Sequence, residues 1–497
     1  HTVGTGRTLT ASSTTGINDN QGWLATDVGR EVTFRDGYGK ITGYTSSTVV
    51  TWEILEDTGS GSHSTDWSLG AFSDTTGHPS CVTFFEQRLV FAATLSQPQT
   101  IFFSKSGDYE NMNENRGGTV ADDDAIIYTI ASNQVNAIRF MTATRTLIIG
   151  TAGGEFAVSG GGTDIAITPT NILIKKQSNN GAANVDALAV GNATLFLQRA
   201  KRKLRELAYN FDVDGYVAPD LTILAEHISE GGFKQLSYQQ EPNQIIWCVR
   251  NDGQLVGLTY QREQQVVAWH RHIFGGNAVC ESVATIPTDD SEYQTWVINK
   301  RTIDGSTKRY VEYLHNYDFD ETDDTSFNFL DSQLEYDGSP ATTISGLSHL
   351  EGEEVSILAD GATHPNKTVS SGSITLDRSA SKVKVGLPYT SLLQTMRIDA
   401  GAQNGTSQSK TKRIYEITAR LYESIGIEVG PDLNNMERIP FRSSADEMDE
   451  GINVFTGDKE IEFRGNYETD GFIFVRQTQP LPLTILSLYP KLQTNDG

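Results

Sequence analysis

Five stretches of the chain share one arrangement of apolar and polar positions. In QRLVFAAT, RTLIIGT, ATLFLQR, QIIWCVR and QTWVINK a polar turn leads into a short apolar strand. With Leu89, Leu147, Leu195, Ile246 and Trp296 taken as equivalent, the steps between them are 58, 48, 51 and 50 residues. A second strand follows each of these through a polar or glycine-rich turn, in TIFFSKS, EFAVSGG, RELAYNF, LVGLTYQ and YVEYLHN. Another apolar run precedes each pair: CVTFF, VNAIRF, VDALAV, FKQLSY and CESVATI. A period near 50 residues with three or four short strands per unit is the pattern of a β-propeller blade. So small a sheet cannot cover its own faces and must stack on its neighbours. The pattern predicts an all-β chain with a β-propeller of about five sequence-visible blades over residues 79–320.

The flanks predict further small β-barrel or β-sandwich domains. Residues 1–78 alternate strand and turn through GREVTFRDGYGKITGYTSSTVVTWEIL and form a small N-terminal β domain. The first residue is His1 rather than Met, so a preceding segment is expected. An acidic run, NYDFDETDDTSFN (316–328), marks a boundary after the fifth blade. Residues 321–400 then hold a compact antiparallel module, with a turn at Asp360-Gly361 and alternation of Val383, Val385 and Leu387. A polar linker (399–410) leads to a C-terminal, platform-like β domain over 401–497. There Tyr415, Ile417, Ala419 and Leu421 alternate with Glu416, Thr418 and Arg420, and Pro480, Pro482 and Pro490 suit an edge strand.

Composition sharpens this picture at three points. The 497 residues carry a formal net charge of −24, which repels nucleic acid unless a local patch reverses the sign. Three scattered cysteines (Cys81, Cys248, Cys280) make no disulfide framework and point to folding in a reducing cytosol. No stretch approaches the roughly 20 apolar residues of a helical membrane span, and the start lacks a signal-peptide pattern.

Candidate chemistry is sparse. TLIIGTAGGEFAVSGGG (146–162) holds six glycines, but its flanks are strands, so it reads as a tight turn of the second blade and not a phosphate cradle. FRDGYGKIT resembles a P-loop but has Phe34 where the first glycine belongs and Ile41 after the lysine. His270 and His272 share a strand face eight to ten residues before Cys280, yet no further ligand pair at zinc-like spacing follows. Asp122, Asp123 and Asp124 lack the Gly and distal Glu of an EF-hand loop and read as a solvated inter-blade loop. Arg199, Lys201, Arg202, Lys203 and Arg205 are the one dense basic cluster, an exposed hairpin and a candidate contact for phosphate or for an acidic face of a second subunit. No GxSxG, HExxH or CxxC occurs, so no catalytic, cofactor-binding or metal residue is assigned, no cofactor is expected, and the chain is expected not to be an enzyme. Two alternatives stay open. One is a receptor- or glycan-binding propeller using Trp247, Trp269 or Trp296, which otherwise read as inter-blade core. The other is a propeller glycosidase built on an acid pair.

Longer phrases carry a resemblance. WSLGAFSDTTGHPSCVTFFEQRLVFAATLSQPQTIFFSKSGDYENM, DDDAIIYTIASNQVNAIRF, RKLRELAYNFDVDGYVAPDLTILAEHI and QQVVAWHRH resemble the tail nozzle (tail tubular protein B-like) proteins of short-tailed bacteriophages. GLSHLEGEEVSILADG and VKVGLPYTSLLQT are similar to the module that follows the propeller in that family. The resemblance covers roughly residues 22–400. It implies a homohexameric ring at the distal end of a phage tail, assembled in the bacterial host cytoplasm and located in the virion. It further implies docking to a tail adaptor ring, carriage of tail fibres or appendages, contact with the host surface, and phage DNA passing through the lumen without sequence-specific binding. The family pattern supplies no catalytic residues.

Overall fold

A computed structural model describes the chain except for residues 116–118, 132–134, 163–164, 290–291, 318, 321–322, 400–405, 445–450 and 496–497. Among the described residues there is no α-helix, and the protein is all-β. The chain forms two compact units. One comprises His1–Tyr238 with Ile245–Asn251 and Leu258–Trp269, and the other Gln239–Gln244, Asp252–Gly257 and His270–Gly497.

The first unit opens with β1 (Gly4–Thr10), β2 (Glu31–Phe34), β3 (Gly37–Ser46), β4 (Val49–Ile54) and β5 (Trp67–Leu69), in the order β1-β4-β3-β2-β5. Alternate residues of β4 turn inward, so Val50, Trp52 and Ile54 join Trp23, Val32 and Ile41 in one small core.

Blade-like meanders follow, and in blades one, two, three and five each strand pairs antiparallel with the next. Blade one holds β6 (Cys81–Phe85), β7 (Arg88–Ala92), β8 (Thr100–Phe103) and β9 (Ile126–Thr129). Blade two holds β10 (Ile138–Ala143), β11 (Leu147–Thr151), β12 (Gly154–Gly160) and β13 (Ile172–Ser178). Blade three holds β14 (Leu188–Val190), β15 (Ala193–Leu197), β16 (Leu204–Asn210) and β17 (Gly215–Val217). Blade four holds β18 (Phe233–Gln239), β19 (Ile245–Arg250), β20 (Leu255–Gln261) and β21 (Val266–His272), and the boundary between the units runs through its strands. Blade five has β22 (Val279–Pro287), β23 (Tyr293–Ile303) and β24 (Ser306–Tyr313).

The stacking that the 50-residue period requires is visible in the side chains. Leu147 and Ile149 of β11 face Val90, Ile101 and Phe103 of blade one. Ile148, between them, faces the other way and meets Phe196 and Leu207 of blade three. A strand buried on both faces must be apolar at every position, which is why LIIG shows no alternation. Each such aliphatic side chain contributes roughly 1.5–3 kcal/mol on burial.

The glycines of 146–162 serve a purpose beyond the turn. The β11–β12 reversal is made at Ala152-Gly153, while Gly150 lies within β11. A Cβ at Gly150 would fall less than 3.0 Å from the Phe140 ring, so the glycine makes room for an aromatic of the adjoining strand.

The second unit continues with β25 (Asp331–Ser345), β26 (Glu354–Ala359), β27 (Ala362–Thr368) and β28 (Ser373–Leu387), ordered β25-β28-β26-β27. Asp360 and Gly361 both have positive φ and close the two-residue β26–β27 hairpin, as the sequence predicts. Val383, Val385 and Leu387 turn into one core with Val355 and Ile357. The acidic run expected to be a plain boundary is more than that where it is described. Phe319, Phe327 and Phe329 gather edge to face around Leu358, Ile425 and Leu481. Its residues 318, 321 and 322 lie outside the described residues, as do 400–405 of the expected linker.

Two C-terminal sheets complete the unit. One contains β29 (Ser391–Gln394), β31 (Glu428–Gly430), β32 (Glu437–Arg438) and β34 (Phe474–Gln477), ordered β29-β34-β31-β32. The other contains β30 (Thr411–Ser424), β33 (Phe455–Glu462) and β35 (Thr484–Asn495), ordered β33-β30-β35. In β30 the alternation departs from expectation. A register shift between Ile414 and Glu416 turns Tyr415 outward while Ile417, Ala419 and Leu421 stay buried.

Candidate functional site

The basic cluster sits on the turn between β15 and β16, closed by the Leu197–Leu204 pair. Two of its five cations are tied into blade three. Lys203 Nζ lies 2.8 Å from Asp220 Oδ2, and Arg205 donates to Gln198 Oε1 at 2.9 Å and to the Ala218 carbonyl at 2.6 Å. Burial works to raise the Asp220 carboxyl, but hydrogen bonds from Lys203 and Thr222 outweigh it and hold the group below its ordinary range. Arg199 and Arg202 are exposed, Lys201 is half-buried with φ 64°, and none of the three forms an ion pair among the described residues. The turn therefore presents three uncompensated cations from an acidic chain, a chemistry suited to carboxylate or phosphate oxygens.

The Asp122–Asp124 loop lies within blade one, between β8 and β9, and not between blades as expected. A buried arginine organises it. Arg88 donates to the carbonyls of Ser104 (2.8 Å), Asp122 (2.8 Å) and Asp124 (2.7 Å). Those backbone oxygens point at a guanidinium, while Asp124 accepts from the Ala121 N–H at 2.8 Å and stands 3.7 Å from Lys105. The loop is cross-braced from within.

His270 Nδ1 and His272 Nε2 stand 2.8 Å apart, sharing one proton as donor and acceptor. Burial pushes the His270 imidazolium pKa down, and burial plus the neighbouring His270 pushes His272 down to about 4. The pair is neutral at pH 7. Cys248 and Cys280 are fully buried, and Cys81 nearly so. Among the described residues no group of three or more His, Cys, Asp or Glu is placed to hold a metal ion.

The tryptophans offer no exposed aromatic platform. Trp247 is buried, Trp269 donates to the Leu221 carbonyl at 2.9 Å and stacks on Phe233, and Trp296 leans on Tyr313.

Sequence reasoning missed two features of the second unit. The first is an open trough of about 610 Å³ on the β30–β33 face, lined by Arg413, Tyr415, Glu416, Glu460, Glu462 and Asn466 among others. Glu416 faces Glu462 directly across the two strands, a like-charge pairing that costs stability, and Lys491 pairs with Glu416 alone. Arg413 donates to the Gly465 carbonyl at 3.1 Å, with its guanidinium over the Tyr467 ring. An exposed tyrosine between carboxylates and an amide can stack on an apolar sugar face and accept from hydroxyls. The register shift that exposes Tyr415 leaves no trace in the sequence alternation.

The second is a buried polar joint. Arg301, on β23, donates to the Gly275 carbonyl (3.1 Å) and to Glu312 (2.7 Å), and lies over Tyr310. Asn299 donates to the other Glu312 oxygen at 2.7 Å. Asp331 accepts from the Gly275 N–H at 2.6 Å, and desolvation raises its carboxyl to about 6 against the opposing pull of Arg301.

No protein-family model and no curated protein matches the chain. Three solved structures match the chain at 10% identity. A luciferin-regenerating enzyme has a TM-score of 0.20, over 44% of this chain and 83% of that one. A protein from Lactobacillus plantarum has a TM-score of 0.28, over 72% and 98%. A bifunctional GH43-CE protein of Bacteroides eggerthii has a TM-score of 0.23, over 83% and 62%. The expectation that the chain is not an enzyme is withdrawn, since a missing catalytic motif does not exclude a catalytic site and one of these three structures is named as an enzyme. A fold of small antiparallel sheets does not exclude catalysis, since function resides in a site and not in the scaffold.

Proposed function

We propose that the protein is a virion structural component, the tail nozzle of a short-tailed bacteriophage, assembled as a homohexameric ring that conducts and gates outgoing DNA. One observation carries the reading. The phrases that resemble nozzle proteins lie on β5–β9 and the start of β10, on β16 and β17, on β21, on β26, and on the end of β28 with β29. The resemblance thus takes in the whole of blade one, single strands or strand pairs of blades two to four, and parts of the module behind them, not an isolated motif. Antiparallel ladders hold a wall in place by cross-strand hydrogen bonds, and a charge of −24 per chain lets a DNA duplex slide where a basic wall would hold it. In this reading the Arg199–Arg202 turn contacts an acidic face of a neighbouring subunit or of the adaptor ring. Native mass spectrometry with negative-stain imaging tests the proposal. A sixfold ring with an axial hole is expected, and a monomer at all concentrations overturns it.

A second reading, a receptor- or glycan-binding module, is favoured by the trough in which Tyr415 stands among Glu416, Glu460 and Glu462. Retardation of the protein in affinity electrophoresis through host surface polysaccharide, abolished by Tyr415→Ala, would move the assignment to it.

A further inference from the structure

Each end of β16 carries an exposed apolar pair, and the two ends differ in the sign of their charge. At the first end, the ladder that starts with Asn210 opposite Gly215 continues beyond β17, through Arg205 opposite Asp220, to the Leu221 N–H on the Leu204 carbonyl at 2.9 Å. The chain then turns at Thr222–Ala225, closed by the Ala225 N–H on the Thr222 carbonyl at 2.9 Å, and returns to donate from the Phe233 N–H to the Lys201 carbonyl. Ile223 and Leu224 fill the two central positions of this turn and are 66% and 94% exposed. They stand at the end of blade three that bears Arg199, Lys201 and Arg202, the cations without an internal ion pair. Glu226 and Glu230 follow on the same connection, leaving three cations against two carboxylates.

At the second end, about 20 Å away along seven residues of strand, the β16–β17 turn reads NFDVDG. Phe211 is 87% and Val213 63% exposed, and Asp212 and Asp214 alternate with them. The Asp214 N–H donates to the Phe211 carbonyl and Tyr209 donates to the Asp214 carboxylate, while neither aspartate forms an ion pair among the described residues.

Neighbouring apolar side chains exposed to this degree occur at one further place among the described residues, Val82 and Phe84 on β6. That strand is uncharged, and Phe84 already packs edge to face on Tyr109 of the same blade. The two ends of β16 are therefore singled out by apolar exposure and matched to each other by charge. Copies of a chain with formal charge −24 repel over most of their surface, so contact is favoured where a cationic end meets an anionic one. Opposite ends of one strand cannot meet within a chain. Joining them between chains is heterologous, and such a contact repeats head to tail and closes into a ring when the rotation between copies allows.

We propose that the Ile223–Leu224 turn of one copy packs on the Phe211–Val213 turn of a second copy, with Arg199, Lys201 and Arg202 set against Asp212 and Asp214. This contact supplies the acidic face of a neighbouring subunit named in the assembly proposed above, and the inference rests on that reading for the closure of the ring.

Native mass spectrometry of the full chain tests it by exchanging the charges. Six chains of 54.5 kDa give about 330 kDa for the wild type. Arg199→Glu/Arg202→Glu and Asp212→Lys/Asp214→Asn should each lose at least tenfold of that species to the 54.5 kDa monomer. Asparagine suits the left-handed backbone at position 214 (φ 44°), and an unchanged thermal midpoint will show that both variants fold. Combined in one chain, the two sets of changes restore opposite signs at the two ends and should bring the ring back. The second test joins Leu224→Cys to Phe211→Cys with a short bis-maleimide, the three native thiols being buried. A ladder of cross-linked chains is expected from the double variant and none from either single variant. A ring kept by either charge variant, a combined variant that stays monomeric, or a missing ladder where the wild type forms a ring overturns the pairing and leaves the nozzle reading standing. A dimer from Leu224→Cys alone overturns it in favour of a symmetric contact. Masses that grow past six chains without limit support the contact and overturn the closed ring, and a wild type that never leaves 54.5 kDa overturns both.

Discussion

Replacing Arg88 with methionine should loosen blade one more than its single side chain suggests. Arg88 is 2% exposed, and its guanidinium serves the carbonyls of Ser104, Asp122 and Asp124 at 2.7–2.8 Å. Desolvation lowers its pKa, while the carboxylates of Asp123, Glu86 and Asp124 pull it back up, so the cation persists in its buried place. Methionine retains most of the volume but donates nothing. A buried acceptor left without a donor costs about 1–3 kcal/mol. Water reaches part of the Asp122–Asp124 loop and softens the loss there, so about 3–5 kcal/mol is expected for the three together. Global unfolding of a chain with two units is not two-state, so the assay is native-state hydrogen exchange of residues 104–126, read beside blade three as an internal reference. Opening should become easier in that segment alone, and Arg88→Lys, which offers a point donor in place of a fork, should fall between. A shift below about 1 kcal/mol, or an equal shift in blade three, would refute the claim that the arginine braces the loop.

Other outcomes can be checked with purified protein. Gly150→Ala should cost about 1–3 kcal/mol, because its methyl meets the Phe140 ring; pairing it with Phe140→Leu should recover part of that in a urea melt. Asp331 has a carboxyl raised to about 6 from an ordinary 3.8, so the folded state holds its proton more tightly than the unfolded state. The stability this gives is present below about pH 4 and is lost as pH rises through 6. Asp331→Asn keeps an acceptor for Gly275, so between pH 4.5 and 7.5 it should lose less stability than the wild type, by on the order of 2 kcal/mol. Denaturant midpoints at the two pH values decide it. Replacing Arg199, Lys201 and Arg202 together by glutamate should leave the thermal midpoint within about 2 °C, since none has an internal ion pair, while weakening any ring or phosphate contact they make.

The blades were legible because their signal is local. Each of β7, β11, β15, β19 and β23 is an apolar run behind a polar turn, and each pairs with strands next to it in sequence. The fourth strands of the blades carry weaker patterns. β13 reads ILIKKQS and β17 is only GYV, since an outer strand with a wet face has no need of an apolar run. What the sequence hid is tertiary. Nothing in ADDDA says that its carbonyls meet an arginine more than thirty residues earlier. Nor does the alternation of β30 announce the register shift that turns Tyr415 out. The Asp331 joint joins residues from four separate segments, and its shifted carboxyl follows from burial that no linear pattern records.

The order in which strands pair also fixes an order of folding. Blades one to three close their ladders between consecutive strands, so each loses little chain entropy on pairing and can settle once its own fifty or so residues and those of the neighbour that covers it have left the ribosome. β29 must wait for β34, and β30 for β33 and β35, across tens of intervening residues. During synthesis the early blades are thus finished while the later sheets are still open strands. That interval is when a nascent chain is most exposed to mispairing with another copy of itself.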